Sequence, residues 1–185
     1  MSFLKTLFGG GGAPDPTKDW PAPNPSLPTP VLDLYNRRFG NLEFDVSGVE
    51  SASFLGRPKG FKWESGKDCV DLYYRDMGYG VGFELNKFVD LILAISPAGA
   101  GTNWTGYASP EIQAGEEGVL LLDRSTTREE IEGAFGKPDK LDEDDEEEAV
   151  LTYRRNHIQL EFEIALPSGQ LTALNVFSTL DEVTG

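Results

Sequence analysis

Seven consecutive carboxylates, Asp142 to Glu148, form the densest charge in the sequence, between a Gly-x-Pro turn and an apolar strand pattern. Such a run could cage a cation, attract a basic protein or remain a solvated loop. It lacks the spaced Asp/Asn ligands, mid-loop Gly and terminal Glu of an EF-hand, which argues against calcium chemistry. Contiguous like charges repel and stay hydrated, so the run reads as a loop that is either solitary or draws in a basic partner. Its contact residues would be Asp142, Asp144, Asp145, Glu146 and Glu147. A second acidic group, Glu161 and Glu163, projects from one strand face, with Glu84 at the matching place earlier in the chain. Same-face carboxylates can serve acid/base catalysis when burial raises one pKa. Alternating charge is equally what a partner-facing sheet surface requires, and that reading is preferred.

Other chemistry is thinner. The single histidine, His157, falls at a turn between two strands, a poor place for a pre-organised base, and no Ser/His/Asp arrangement forms around it. Cys69 enters a strand near Lys67 and reads as a half-buried strand cysteine. Gly9 to Gly12 has no following Lys-Ser/Thr and no preceding strand, so it is a linker and not a phosphate loop. No catalytic residue, cofactor or metal site is expected.

Charge and composition narrow the partner class. A net charge of −15 opposes contact with nucleic acid or an anionic membrane, because phosphate binding needs clustered Lys and Arg. Basic proteins are the favoured partners. The segment "MSFLKTLF" groups Phe3, Leu4, Leu7 and Phe8 around Lys5, far short of a signal sequence, and could dock to a protein or membrane surface. Nothing in the sequence is long enough to insert in a bilayer, so a cytoplasmic location is expected. Residues 1–30, rich in Gly and Pro, are expected to be a disordered peptide and linker.

The elements that position these groups emerge when the chain is slid against itself. Gly40 to Pro58 aligns with Gly118 to Pro138, Leu72 to Leu85 with Leu151 to Ile164, and "VDLILAIS" with "LTALNVFS", at an offset near 80 residues. Tyr74 and Phe83 stand nine residues apart, as do Tyr153 and Phe162. The expected organisation is unit one at 31–96, an inter-repeat loop at 97–117 and unit two at 118–185. Each unit reads as a strand, a short helix and three strands, giving an α+β fold with helices packed on antiparallel sheet. In unit two, Thr126 or Thr127 can cap the helix, Glu130 lies three after Thr127 as a capping box requires, and Gly136 and Pro138 end it. Alternation puts Leu151, Tyr153, Ile158, Leu160, Phe162 and Ile164 inward and Arg154, Glu161 and Glu163 outward.

The helix "TTREEIEGAFGKP", followed by a Tyr-bearing strand and a three-stranded meander, resembles the units of the SmpA/OmlA (BamE) assembly lipoproteins. Two such units in tandem are similar to the beta-lactamase inhibitory protein architecture. The resemblance spans roughly Gly40 to Ser178, although no lipobox cysteine is seen and copy one has Gly48, Ser51 and Ser53 in its helix. It implies a binding scaffold whose sheet face and loops grip another protein.

The leading expectation is a non-enzymatic inhibitor or immunity-type protein that neutralises a toxin or enzyme. The alternative is an accessory protein of a bacterial secretion or envelope machine, docked through its N-terminal peptide. The expected contact surface comprises Tyr73, Arg75, Glu84, Arg154, Glu161 and Glu163, the loop aromatics Trp104 and Tyr107, and the acidic run. Gly80 and Gly82 would let a partner approach the backbone closely. Replacing Asp142 to Glu148 with Ser and Gly should leave the urea unfolding midpoint nearly unchanged, since exposed like charges add little stability. If a basic partner uses the loop, its association rate should fall and lose salt dependence in stopped-flow mixing.

Overall fold

In the computed structural model, residues 15–24, 26–64, 68–97, 104–114 and 119–180 are described. Among them, β1 (Leu32–Asp33), β2 (Arg38–Phe39) and β3 (Leu42–Glu43) precede a 3-10 helix at Val49–Leu55. A meander follows: β4 (Gly60–Glu64), β5 (Cys69–Tyr74), β6 (Tyr79–Glu84) and β7 (Lys87–Ala94). Then β8 (Glu111–Gln113) and β9 (Val119–Leu121) lead into α1 (Arg128–Phe135). A second meander closes the chain: β10 (Lys140–Asp142), β11 (Glu148–Arg155), β12 (Ile158–Ala165) and β13 (Gln170–Ser178).

The two meanders fuse into one eight-stranded sheet of order β10-β11-β12-β13-β7-β6-β5-β4. Antiparallel pairing of β7 with β13, from Ala94↔Ala173 to Asp90↔Phe177, makes the seam. A five-stranded sheet, β3-β2-β1-β8-β9, takes the remaining strands, with β1 and β8 parallel. The two sheets share one core, in which Phe44 meets Phe88 at 4.2 Å between ring centroids and Phe39 meets Tyr79 edge-on at 5.6 Å.

This architecture overturns the α+β expectation of duplicated strand-helix-three-strand units with helices packed on the sheet. The described residues are mostly β, and the two short helices among them, of seven and eight residues, do not make a layer. The reasons are local. Copy one begins its helix at Gly48, which has no side-chain cap, and the Asn86 side chain accepts from the Val49 N–H at 3.0 Å instead. With Ser51 and Ser53 inside, the segment closes only 3-10 turns. The strands expected at the start of each unit, around Leu42 and Leu120, join the separate five-stranded sheet, and β4 and β10 add a fourth strand to each meander. The expected inter-repeat loop also contains β8, whose register with β1 pairs Leu32 with Ile112.

The strand alternation in the second meander and the end signals of α1 are as the sequence demands. Leu151, Tyr153, Ile158, Leu160, Phe162 and Ile164 are all buried. Thr127 Oγ1 accepts from the Glu130 N–H, and Glu130 Oε2 accepts from the Thr127 N–H at 2.8 Å, the reciprocal capping box. Gly136, at φ +78°, donates its N–H to the Glu132 carbonyl and ends the helix.

Three polar contacts fix how the pieces sit together. The Tyr74 hydroxyl donates to the Gly56 carbonyl at 2.8 Å, and the Tyr153 hydroxyl donates to the Gly136 carbonyl at 3.2 Å, so each meander pins the end of its own helix. Arg37 and Asp45, both in left-handed backbone, form an ion pair that takes in Ser178, whose hydroxyl donates to Asp45 at 2.6 Å. This locks the β2–β3 corner to the end of β13.

The Pro-rich stretch was expected to be linker, but its described part lies on the domain. Thr17 is buried, Arg57 pairs with Asp15 at 2.8 Å, and the Arg57 N–H donates to the Pro21 carbonyl at 2.6 Å. The expected docking peptide at residues 1–8 lies outside the described residues. No helix among the described residues is long and apolar enough to cross a membrane.

Tyr74→Phe tests the pinning. It leaves a buried carbonyl of Gly56 without its donor, and should cost about 1–2 kcal/mol of unfolding free energy by urea titration at unchanged m-value.

Candidate functional site

One face of the eight-stranded sheet packs on the core, and the opposite face is open across most of its width. Cross-strand register arranges the open face in rows, because directly paired residues project to the same side. One row runs Tyr73, Gly80, Ile92, Asn175, Glu161, Thr152 and Lys140. The next runs Asp71, Gly82, Asp90, Phe177, Gln159 and Arg154.

The first half of this face is aromatic and acidic. Trp104 lies over Ala94 and Ala173, the two small residues at the end of the seam. Its ring meets Tyr73 edge-on at 6.4 Å, and the Arg75 guanidinium stacks over Tyr73 at 5.7 Å. The loop is held by the Thr105 and Gly106 N–H groups, both donating to the Arg75 carbonyl at 2.9 Å. Tyr107, in the same loop, is exposed.

Asp90 sits beside this aromatic group. Its carboxylate leans over β6 and fills the space above Gly82, where a Cβ would overlap it. The same holds more gently at Gly80, where Tyr73 and Ile92 close over the backbone. The expectation that these glycines admit a partner to the backbone is therefore corrected: neighbouring side chains already take that space. Burial, with the negative charges of Asp71 and Glu84, pushes the Asp90 carboxyl up to about 6. Tyr73, whose hydroxyl is 3.4 Å from Asp71, is likewise pushed up, chiefly by burial.

The second half of the face is a polar ladder. Arg154 Nε donates to Gln159 at 3.0 Å, Gln159 donates to Glu161 at 2.8 Å, and Asn175 donates to Glu163 at 2.5 Å. Glu163 is raised by burial against the lowering effect of Asn175, with Glu148 and Glu161 adding to the rise. Asp139, Lys140, Thr152, Arg154, Gln159 and Glu161 line a groove here.

The acidic run is the hairpin between β10 and β11, at the far edge of the sheet. Six strand spacings separate it from Tyr73 on β5, roughly 29 Å at 4.8 Å each. The structure thus divides the expected contact residues. Tyr73, Arg75 and Trp104 come together, Arg154, Glu161 and Glu163 form a second group, and Asp142 to Glu147 stand apart. Part of the run is engaged locally, Lys140 with Asp142 at 2.8 Å and Arg128 with Glu143 at 2.9 Å. Glu84 is exposed at the end of β6, close enough to raise Asp90. Among the described residues, no group of three or more His, Cys, Asp or Glu side chains is placed to hold a metal ion.

Sequence reasoning missed Asp71, Asp90, Ile92, Asn175 and Phe177. A signal for Asp90 existed: it is the lone acid inside the apolar strand "FVDLILA". An acid in that position must either be paired or serve a purpose.

No family model matches the chain, and no curated protein matches it. Among solved structures, a DUF4309 family protein (YjgB) from Bacillus subtilis is similar at 16% identity over 74% of this chain and 82% of that chain, with a TM-score of 0.44. A likeness at that level carries no argument about what the chain does.

The raised Asp90 makes a pH prediction. Its folded pKa lies above the ordinary carboxylate value, so the folded state holds a proton that the unfolded chain has released between about pH 4 and 6. Its contribution to stability is therefore present at low pH and lost as pH rises through 6. Asp90→Asn should stabilise the protein at pH 7.5 by about 1–2 kcal/mol, discounting for partial solvent contact, and change little at pH 4. Urea titrations of both proteins at the two pH values measure the difference.

Proposed function

We propose that the protein is a non-enzymatic binding module that takes a basic partner protein on the open face of the eight-stranded sheet. Neutralising a toxin or enzyme is the role this reading gives the contact. The observation that carries it is Asp90, a half-buried carboxylate pushed up to about 6 by burial and like charge. Burial, Asp71 and Glu84 all act against the ionised form of Asp90, and a desolvated acid in such surroundings costs stability in the free protein. An arriving Lys or Arg removes that cost, whereas a neutral side chain deepens it, so the position selects for a cationic contact.

The surroundings fit such a contact. Tyr73 and Trp104 offer ring faces to a guanidinium, and aromatic residues of this kind dominate binding energy at interfaces. Arg75 stacks on Tyr73, so a cation on this ring is part of the patch that a partner would meet. The net charge of −15 and the acidic hairpin at the sheet's edge would steer a basic protein toward the same side of the chain's charge distribution.

The test is affinity capture in native salt with the whole chain as bait, followed by titration of whatever protein is recovered. Trp104→Ala and Asp90→Asn should each weaken its binding at least tenfold, which is about 1.4 kcal/mol. Both should act mainly on dissociation, and charge reversal of Asp142 to Glu147 on association. A recovered partner indifferent to Trp104 and Asp90, or turnover of a substrate by the chain with no partner at all, would overturn the proposal.

A further inference from the structure

The two sheets end in β4, β10, β3 and β9, and the first three of these edges carry charge. β4 bears Lys62, β10 bears Lys140 and Asp142, and the two-residue β3 bears Glu43, paired with Arg38 at 2.7 Å. Charged residues on an edge strand keep other chains from adding to the sheet. β9 is the exception: its sequence is Val-Leu-Leu, with no charge, no proline and no shift of register against β8. Among the described residues no strand pairs with its outer side. Val119 is 64% exposed and Leu121 55%, both on the face turned away from the core. Leu120 points the other way and packs on the core, yet is only partly buried.

The register identifies the free backbone groups. The Leu122 N–H donates to the Pro110 carbonyl at 3.0 Å, and hydrogen-bonded pairs alternate along an antiparallel ladder. Leu120 therefore bonds to Ile112, and the N–H and C=O groups of Val119 and Leu121 point off the sheet. The Gln113 carbonyl, opposite Val119, agrees with this by accepting from the Leu34 N–H beyond β1 at 3.1 Å.

We propose that β9 pairs antiparallel with β9 of a second copy of this chain, about a two-fold axis at Leu120. The strand is its own complement in that register. Val119 falls opposite Leu121 of the second copy, and each such pair can exchange both of its N–H···O=C bonds. Their side chains meet on the outer face as apolar cross-strand pairs, while the two Leu120 side chains complete each other's burial beneath. β9 itself carries no acid for a basic protein to read, so a second copy fits this edge better than the partner class proposed for the open face. A three-residue strand buries less than the roughly 1,600 Å² of a standard stable interface, so the dimer is weak, with a dissociation constant on the order of 0.1–1 mM. Each copy carries a charge of −15, so screening by salt strengthens the association.

Sedimentation equilibrium of the full chain at up to about 1 mM tests this. The expected result is a monomer–dimer equilibrium that tightens several-fold between about 0.01 and about 1 M NaCl, as the Debye length falls from about 30 to about 3 Å. Amide hydrogen exchange read by NMR at low and high protein concentration locates the contact. Val119 and Leu121 should gain protection as the dimer forms, whereas Leu120, bonded to β8 in either state, should not change. Val119→Pro removes an edge donor without touching the β8 ladder, and proline is accepted where the N–H faces off the sheet. It should abolish the dimer, as should Leu121→Lys at its exposed site, with the amide spectrum of the rest of the fold retained. A chain that stays monomeric at about 1 mM in high salt, a dimer indifferent to either substitution, or protection gained elsewhere than at Val119 and Leu121 overturns the proposal. Trp104→Ala should leave the dimer unchanged, so this contact and the one on the open face stand or fall separately.

Discussion

The pairing of β7 with β13 is the contact on which everything else depends. Without it, two four-stranded meanders would each expose an apolar edge, "DLILA" in one and "LTALNVF" in the other, and such edges recruit other chains. Paired, they bury Leu91 against Val176 and Leu93 against Leu174 on the core side. On the open side the seam ends in Ala94 and Ala173, and their small size leaves the shelf on which Trp104 lies. The loop leaving β7 stays at the seam because the Ile95 and Ser96 N–H groups both donate to the Thr172 carbonyl, at 2.8 and 3.1 Å. The Ala108 N–H then returns to the Ala94 carbonyl at 2.7 Å. Joining the meanders and placing the aromatic patch are therefore one structural event.

How much of this could be read from the sequence depends on whether the deciding interaction is local. The Thr127–Glu130 box, the Gly136 stop and the alternation from Leu151 to Ile164 are set within a few residues, and each folds as read. The self-similar offset was equally legible, but the sheet order was not. Whether two meanders pack as separate units or fuse at one edge is decided by strands far apart in the chain. The short edge strands β4 and β10 escaped notice because lysines and acids interrupt their apolar pattern, as edge strands require. β8 escaped because so short a strand is defined by the edges on either side of it, β1 in parallel and β9 antiparallel.

The candidate site shows the same division. Tyr73 was legible as an outward strand residue and Trp104 as a loop aromatic, but their meeting beside the seam required the fold. Asp90 was hidden because a strand that is apolar on both sides of it reads as core. Its position in register with Gly82 explains why β6 carries glycine there: any side chain would collide with the carboxylate. The glycine makes room for a group within the protein, where the sequence suggested room for a partner.

The strand order also separates two electrostatic tasks. The acidic hairpin lies roughly 29 Å across the strands from Tyr73 on β5 and roughly 14–19 Å from Asp90 on β7, about twice the Debye length of about 8 Å at physiological salt. At that range its exposed charges neither raise the Asp90 carboxyl nor add to the strength of a contact made there. They can act only on the approach of a charged body, where the field of many carboxylates sums before contact. Asp90 is the reverse case: one half-buried charge, felt at short range by its neighbours Asp71, Glu84 and Tyr73. On the binding role proposed above, a surface divided in this way would let the rate of encounter be set at one edge of the sheet and the strength of the contact at its middle, each by residues that can change without disturbing the other.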